Sequence, residues 1–402
     1  MEYNNNNYNK YIMKNDFSVI INDIPLYNKI DSILCQIIKY FPQVIPAVQY
    51  TNNTNIVSYI YEIFMQLYNQ KDTDQVIFNT IKQRISQISA YRTSLYTLLS
   101  QPQVAQRSPE WYELRKNRLT ASAVAQAIGK GKFSTKADLL KDKAFPELAK
   151  PFDSHSCPPL RHGIILEDMS ARCYSQRLNN IKIHNFGMIP HQTLNCFGAS
   201  PDGINELGIM VEIKTPYRRR VDGNIPYEYM VQMQGQMAVC ALNECDFVDA
   251  EIYFNYKCIE DYINENTNNI DHGVIVEYID DTNNRQYLYS PEYLTVQECL
   301  KWAEDIRNKQ FKNKHCLLLP WKLNKIIIKR VYFNEEVWSD LIPQIEEFWQ
   351  EVINLRNAGV DALPKKTNKY SRKTVVVDTN IVSNKFPNKV ASTAQFIDSD
   401  ED

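Results

Sequence analysis

We predict an α/β protein, more closely described as α+β, in which helices flank a mixed central β-sheet. Between residues 107 and 256, apolar runs typical of buried strands alternate with segments of helical periodicity. Earlier in the chain, apolar residues recur at helical spacing from Ile56 to Leu67 and from Val76 to Ile88. A second set of strand and helix patterns follows residue 258. The sequence therefore predicts a central core, a helical N-terminal domain and an inserted α/β subdomain.

Domain boundaries follow changes in composition along the 402 residues. Both ends of the chain are polar and hold few residues that could build a core, so we expect them to be disordered. The polar sequence from Ser100 to Gln103 separates the first helices from the core. We assign an Asn-rich tail at 1–15, a helical N-terminal domain at 16–103, the core at 104–257, an inserted subdomain at 258–325, a strand and helix that complete the core at 326–360, and a disordered tail at 361–402.

The core elements are assigned in chain order from their caps and apolar patterns. Ser108 followed by Pro109 predicts the start of a helix, because serine caps the N-terminus and proline suits the first turn. The remaining core elements are a helix at 160–178, strands at 186–189, 196–199 and 209–213, a helix at 227–242 and a strand at 250–256.

The elements after the core follow the same reasoning. Two short apolar runs, at 274–278 and 286–289, predict the strands of a hairpin, and a helix at 295–311 comes next. A strand at 326–332 then leads to Asn334, which caps a final helix that ends near Gly359.

Composition is typical of a soluble globular protein, with 44% hydrophobic and 23% charged residues. No apolar run reaches the ~18 residues that a membrane span needs, and the start of the chain lacks the pattern of a signal peptide. We therefore expect an intracellular protein that is not secreted and has no membrane partner. Nine cysteines without a Cys-x-x-Cys pair indicate reduced thiols, so neither a zinc ribbon nor an iron–sulfur cluster is expected.

Positive charge is concentrated in the centre of the chain. The net charge is −2, yet residues 107–220 contain 18 Lys and Arg against 11 Asp and Glu, which gives +7 there and −9 elsewhere. The whole protein is therefore not a basic nucleic-acid binder, but the central segment fits a groove for an anion.

The sequence from Gly198 to Pro216 contains four charged residues, of which Asp202, Glu212 and Lys214 are the candidates for a site. The turn-forming residues 205–208 predict a hairpin that brings Asp202 beside Glu212. Because side chains alternate along a strand, Glu212 and Lys214 share one face. Paired carboxylates of this kind hold Mg²⁺, and a lysine beside them can orient or deprotonate water for phosphodiester hydrolysis. Taken alone the pattern is short, and a surface hairpin with a Glu–Lys ion pair is the alternative.

Five short motifs, two of them within this hairpin and three outside it, decide between the two interpretations. They are Trp111 to Arg115 with Leu119 to Ser122, Gly163 to Glu167, Ser200 to Gly203, Glu212 to Pro216, and Tyr229 to Gln234. In this order and with these gaps, they resemble the PD-(D/E)XK nuclease superfamily, in particular its lambda-type exonucleases and YqaJ-like viral recombinases. The resemblance covers residues 107–256 and resumes from 326 to about 355. It implies a restriction-endonuclease-like core.

The resemblance also implies a role for each matching residue. Asp202, Glu212 and Glu167, with the carbonyl of Ile213, would hold Mg²⁺ or Mn²⁺, two ions per site. Lys214 would position or activate the attacking water. The residues that would grip a terminal 5′-phosphate are Arg115, Ser122, Ser200 and Gln232, and further candidate DNA contacts are Tyr229, Gln234, Arg218, Arg219 and Arg220.

The implied activity is a metal-dependent DNA exonuclease that degrades duplex ends 5′→3′ in recombination, repair or defence. Its substrate would be double-stranded ends with a 5′-phosphate, and its partners a single-strand annealing protein or a helicase. The alternatives are a nuclease like those of CRISPR adaptation but without an iron–sulfur cluster, and an inactive scaffold that binds DNA ends. A homo-oligomer is expected, but the N-terminal domain and the insertion at 258–325 depart from the minimal ring-forming enzyme. Asn is abundant and its codons are AT-rich, which fits a giant virus or a protist with an AT-rich genome.

Overall fold

The computed structural model describes residues 25–41, 54–68, 75–106, 108–132, 134–148, 157–254, 259–266, 271–281, 284–311 and 316–363. The expected N-terminal tail at 1–15 lies outside these residues, as does the expected C-terminal tail from residue 364 onward.

A seven-stranded mixed sheet forms the centre of the molecule. Its strands are β2 (Ile183–His184), β5 (Gly203–Asn205), β6 (Met210–Lys214), β7 (Glu244–Tyr253), β8 (His272–Ile279), β9 (Arg285–Tyr289) and β10 (Cys316–Tyr332). They lie side by side in the order β2-β5-β6-β7-β10-β8-β9, with β6 and β7 parallel and the other neighbours antiparallel. A small second sheet has the order β1-β4-β3 and consists of β1 (Leu119–Thr120), β3 (Ile189–Pro190) and β4 (Phe197–Ala199).

Helices flank the sheets, so the predicted fold class is confirmed. They are α1 (Pro25–Tyr40), α2 (Thr54–Leu67), α3 (Gln75–Leu99), α4 (Pro109–Lys116), α5 (Val124–Ala127), α6 (Lys136–Ala144), α7 (Pro158–Arg177), α8 (Tyr227–Cys240), α9 (Ile259–Asn266), α10 (Val296–Gln310) and α11 (Glu335–Ala358). Two predicted caps are present: the Ser108 side chain accepts from the Trp111 amide, and the Asn334 side chain accepts from the Val337 amide.

The predicted strand at 186–189 is only partly correct, because the paired strand is Ile189–Pro190. At Gly187 the backbone passes against another segment: a Cβ built there would lie 1.6 Å from the carbonyl oxygen of Val104. The backbone at Val104 therefore lies where a neighbouring strand would have to pair with Gly187.

Strands β7 and β10 are longer than the sequence predicts. They pair with each other from Glu244 to Tyr253, although the prediction for this strand begins at Ala250. Acidic residues break the apolar pattern inside β7, and the two buried aspartates are each paired with an arginine from elsewhere in the chain. Asp246 pairs with Arg330 at 2.6 Å, and Asp249 pairs with Arg219 at 2.6 Å. Because these buried positions hold charged residues and not apolar ones, the apolar pattern does not reveal the first half of the strand.

The segment assigned as an insertion extends the main sheet. Strand β8 pairs with the outer side of β10, and β9 pairs with β8. The segment also contacts helix α7, since the Tyr289 hydroxyl donates to the Ile165 carbonyl at 3.1 Å and Arg161 pairs with Glu277 at 2.5 Å. The boundaries of an independent subdomain stay a prediction.

A buried cluster of charges joins the N-terminal helices to the sheet. Arg84 on α3 pairs with Asp31 on α1 at 2.7 Å and with Glu244 at the start of β7 at 2.5 Å. Arg330 on β10 pairs with Glu244 at 2.5 Å and with Asp246 at 2.6 Å. The Arg84 side chain is fully buried, so the acids around it depend on its charge.

Replacing Arg84 with methionine should destabilise the fold by about 3–5 kcal/mol, because Asp31 and Glu244 would remain buried with less compensation. Urea unfolding measures this difference. The control is Lys309→Ala, which removes an exposed ion pair to Asp305 and should change the free energy of unfolding by no more than about 0.5 kcal/mol. Equal effects of the two substitutions would contradict the role of the cluster.

Candidate active site

A hairpin is present, formed by β5 and β6 and closed by a short turn. Its first strand begins after Asp202, whereas the strand predicted at 196–199 is β4, which pairs in the second sheet. The side-chain oxygen of Asn205 accepts from the amides of Leu207 and Ile209, at 2.9 and 3.2 Å. Gly208 has a positive φ of 76°, which a glycine adopts without strain. Gly203 pairs with Val211, so the residue before β5 lies level with the middle of β6.

The hairpin places Asp202 against β6. Its Oδ2 accepts from the backbone amide of Ile213 at 2.7 Å. Burial raises the pKa of the Asp202 carboxyl well above its ordinary value, and the nearby carboxylates of Glu212 and Glu167 raise it further. Lys214 acts in the opposite direction. Asp202, Glu212 and Glu167 therefore form one acidic group, although Glu167 comes from helix α7.

Glu212 is fully buried in the middle of the sheet. Its Oε1 accepts from Gln232 Nε2 at 2.7 Å and lies 2.6 Å from Lys214 Nζ, while its Oε2 accepts from Gln236 Nε2 at 2.8 Å. Gln232 and Gln236 are four residues apart on α8, so both reach the same carboxylate. Gln236 was not among the predicted site residues, and this helical spacing from Gln232 is the signal that could have found it.

The ammonium group of Lys214 lies between the Glu212 carboxylate and the Tyr229 ring. Its Nζ lies 4.6 Å from the centre of the Tyr229 ring, besides its contact with Glu212. Burial lowers the pKa of Lys214, but Glu212, Asp202 and Tyr229 outweigh burial and raise that pKa above its ordinary value. Tyr229 therefore contacts the lysine of the site.

A cavity of about 210 Å³ opens beside these residues. It brings together six of the predicted site residues, which come from parts of the chain far apart in sequence. Its lining includes Arg115, Ser122, Glu167, Ser200, Asp202 and Gln232, together with Gln106, Trp111, Thr120, Ala121 and Gln236.

Trp111 connects two of the predicted phosphate ligands. Its Nε1 donates to Ser200 Oγ at 3.0 Å, and the guanidinium carbon of Arg115 lies 4.2 Å from the centre of its ring. Burial lowers the pKa of Arg115. Among the residues that the structure describes, no carboxylate forms an ion pair with this guanidinium, which leaves its charge available to an anion in the cavity.

Two of the predicted DNA contacts have structural partners for their side chains. Arg219 forms a two-pronged ion pair with Asp249, at 2.6 and 2.8 Å, and its side chain is only 12% exposed. Gln234 donates to the Tyr332 carbonyl at 3.0 Å and accepts from the Asn334 amide at 2.7 Å, so its amide joins β10 to α11.

The neighbours of Arg219 have a different placement. Arg218 and Arg220 are exposed on the loop after β6, and the Arg218 guanidinium lies 5.7 Å from the Tyr217 ring. Both positions remain candidates for contact with an extended anion.

The acidic group fits a hard divalent cation. Within the described ranges, no group of three or more His, Cys, Asp or Glu side chains has the arrangement of a formed metal site. Even so, the carboxylates of Glu212 and Glu167 raise the pKa of Asp202 beyond the effect of burial, and Lys214 offsets this only in part. The three acids therefore carry surplus negative charge. Gln236 Oε1 is also buried without a hydrogen-bond partner. Oxygen ligands with surplus negative charge suit Mg²⁺ or Mn²⁺.

None of the described helices combines the length and the apolar character needed to cross a membrane.

The chain is similar to several known proteins. An uncharacterised protein of Acanthamoeba polyphaga mimivirus is 26% identical over 310 residues, which cover 66% of this chain and 55% of the relative. The chain thus spans about half the length of this relative. Among solved structures, an alkaline exonuclease from Laribacter hongkongensis is 19% identical, with a TM-score of 0.40 and coverage of 62% of this chain and 95% of that chain. A phage-related exonuclease from Haemophilus somnus is 12% identical, with a TM-score of 0.32 and coverage of 60% and 96%.

A family model supports the same relationship. It is the model of the YqaJ-like viral recombinase domain, and it matches residues 110–243. This range contains every side chain named above as lining the cavity, apart from Gln106. The resemblance drawn from the motifs is therefore confirmed: over residues 110–243, this chain is similar to the YqaJ-like viral recombinase domain.

Proposed function

We propose that this protein is a metal-dependent DNA exonuclease that degrades duplex ends in the 5′→3′ direction. The observation that carries the proposal is the position of Asp202, Glu212 and Lys214 on one hairpin, beside a cavity that is also lined by the cation Arg115. Such a site combines the groups needed to bind a divalent metal with those needed to bind a phosphate.

In this proposal the carboxylates of Asp202, Glu212 and Glu167 hold Mg²⁺ or Mn²⁺, with the Ile213 carbonyl as a further ligand. A bound divalent cation supplies Lewis-acid stabilisation of the negative charge that develops on a phosphate under attack. The two glutamines on α8 fix the orientation of the Glu212 carboxylate through one hydrogen bond to each oxygen.

Lys214 serves as a hydrogen-bond donor. Its raised pKa keeps the ammonium protonated, which favours positioning of water or of a phosphate oxygen over removal of a proton. Contacts with Glu212 and Tyr229 restrict the side chain to the neighbourhood of the acids.

Arg115 recognises the terminal phosphate of the substrate. Its planar guanidinium has two edges for phosphate oxygens, and Ser122, Ser200 and Gln232 add neutral donors in the same cavity. A terminal phosphate carries more negative charge than a phosphodiester within the strand. This difference would let the site select a 5′ end.

Two further cations increase the positive potential behind Arg115. Lys143 Nζ donates to the Arg115 carbonyl at 2.6 Å, and Arg356 donates to the Lys143 carbonyl at 2.7 Å. Burial lowers the pKa of Lys143 to about 8, and the positive charges of Arg115 and Arg356 contribute to the decrease. The Asp142 carboxylate only partly offsets these effects, and the remaining positive charge supports an anionic ligand for the cavity.

The proposed activity is tested on linear 5′-phosphorylated, linear 5′-hydroxyl and closed circular duplexes, each with Mg²⁺ and with EDTA. We expect rapid loss of the phosphorylated linear duplex with Mg²⁺, and no loss with EDTA. Asp202→Asn should lower kcat by about 100-fold or more without lowering Tm. Asp168→Asn, an exposed neighbour of Glu167, is the matched control and should keep the wild-type rate. Closed circles cut as fast as linear duplex would replace the exonuclease with an endonuclease.

Arg115→Gln should lower kcat/KM on 5′-phosphorylated ends by about 10- to 100-fold, because a charge-assisted hydrogen bond contributes about 1.5–3 kcal/mol. On 5′-hydroxyl ends the same variant should differ little from wild type. Arg220→Gln, in the exposed loop, is the comparison, since a contact with the DNA backbone affects both ends alike. If Arg115→Gln reduced both rates equally, recognition of the terminal phosphate would be assigned to the wrong residue.

Lys143→Met tests the charge behind Arg115 through the pH dependence of stability. Lys143 has a pKa of about 8 in the folded protein and an ordinary value of 10.5. Between these values the unfolded chain binds more protons than the folded chain, so the contribution of Lys143 to stability rises with pH. The unfolding free energy of wild type minus that of Lys143→Met should therefore increase from pH 8 to pH 10.5, by at most about 1.4 kcal/mol per pH unit. A difference that stays constant would show that the pKa is not lowered.

A further inference from the structure

The turn of the β5–β6 hairpin packs directly against the backbone of helix α3, which belongs to the N-terminal helices. A Cβ built at Gly208 would lie 2.5 Å from the carbonyl carbon of Tyr91. No side chain fits at this position without displacing either the turn or the helix. The contact therefore requires a glycine and fixes the distance between the hairpin and α3.

Arg92, the next residue on α3, binds the same turn. It is 1% exposed, and its Nη1 donates to the Glu206 carbonyl at 2.5 Å and to Glu206 Oε2 at 3.1 Å. The Tyr96 hydroxyl donates to Glu206 Oε2 at 3.2 Å, and Glu206 Oε1 lies 2.6 Å from His184 Nε2 on β2. One guanidinium thus contacts both the backbone and the side chain of the turn.

Helix α3 is itself fixed to the sheet at a second point. Arg84 lies eight residues before Arg92, about two helical turns away, and it belongs to the buried charge cluster with Glu244 and Arg330. The same cluster reaches the other side of the hairpin, because Asp246 accepts from the Tyr174 hydroxyl at 2.7 Å and this hydroxyl accepts from Asn205 Nδ2 at 2.9 Å. The turn is therefore held from two sides by parts of one buried network.

The hairpin needs such support because its own pairing is short. Strand β5 has three residues, and its register with β6 covers only two pairs, from Gly203 and Ile204. A pairing of this length contributes little to fixing the position of the strand. Asp202 directly precedes β5, so any shift of the turn is transmitted to its carboxylate.

We infer that helix α3 positions the catalytic hairpin, with Arg92 as the positioning residue that holds Asp202 and Glu212 at the spacing required for metal binding. The inference rests on the proposed function, because the two acids are the proposed metal ligands. It gives the N-terminal helices a role in the chemistry of the site, although no side chain from them lines the cavity.

The test compares Arg92→Met with Ile81→Val. Ile81 is fully buried on the same helix, three turns from the hairpin contact, so its truncation destabilises α3 without removing that contact. Manganese binding to the protein without DNA is measured by titration, and kcat and KM are measured on 5′-phosphorylated linear duplex.

We expect Arg92→Met to weaken manganese binding and to lower kcat, each by about 10- to 100-fold, as found for groups that orient metal ligands. KM for DNA should stay within about twofold, because Arg115, the proposed phosphate contact, lies on α4 and not on α3. Ile81→Val should leave all three quantities close to wild type. Arg92→Lys, which keeps a cation but loses the planar fork, should restore part of both losses.

Equal manganese affinity and kcat in Arg92→Met and Ile81→Val would overturn the inference and leave the proposed function intact. If Arg92→Met does not fold, Arg92→Lys decides: manganese affinity and kcat at the wild-type level would overturn the inference. A wild-type protein with neither nuclease activity nor manganese binding would overturn the proposed function, and the inference with it.

Discussion

The fully buried carboxylate of Glu212 is the constraint on which the site depends. An ionised carboxylate in the middle of a sheet is unfavourable unless hydrogen bonds and positive charge compensate it. Lys214 from the same strand, and Gln232 and Gln236 from α8, provide this compensation. Strand β6 and helix α8 must therefore keep a fixed relative position, and this brings Gln232 into the cavity that also contains Arg115 and Ser200.

The segments outside the family-model match support this centre. Helix α3 holds the turn of the hairpin through Arg92, while its Arg84 is part of the buried charge cluster below the sheet. On the other side, the Tyr289 hydroxyl binds the Ile165 carbonyl, two residues before Glu167 on α7. The N-terminal helices thus contact the hairpin that carries Asp202 and Glu212, and the segment with β8 and β9 contacts helix α7, which carries Glu167. Their placement gives these segments a structural role beside the segment that the family model matches.

Sequence reasoning succeeds where the signal is local. The hairpin follows from the turn residues Asn205 and Gly208, and the helix starts follow from Ser108 and Asn334. Without motifs to compare, the charged residues of the hairpin alone would not have distinguished a surface ion pair from a site.

Sequence reasoning fails where a polar residue has a distant partner. The pairing of Arg219 with Asp249, and the bonds of Gln234 to β10 and α11, leave no signal in the local sequence. The pairing of Arg92 with Glu206 spans 114 positions and leaves no periodic signal. Buried ion pairs also interrupt the apolar pattern of β7 at Asp246, so the strand is longer than its sequence predicts.

The most direct test of the central claim is the single-turnover rate of Lys214→Met on a 5′-phosphorylated duplex with Mg²⁺, measured beside wild type at equal folded concentration. If the ammonium between Glu212 and Tyr229 positions the reacting groups, the rate should fall by about 100-fold or more while the protein remains folded. A rate close to that of wild type would contradict the assignment of this hairpin as the catalytic centre.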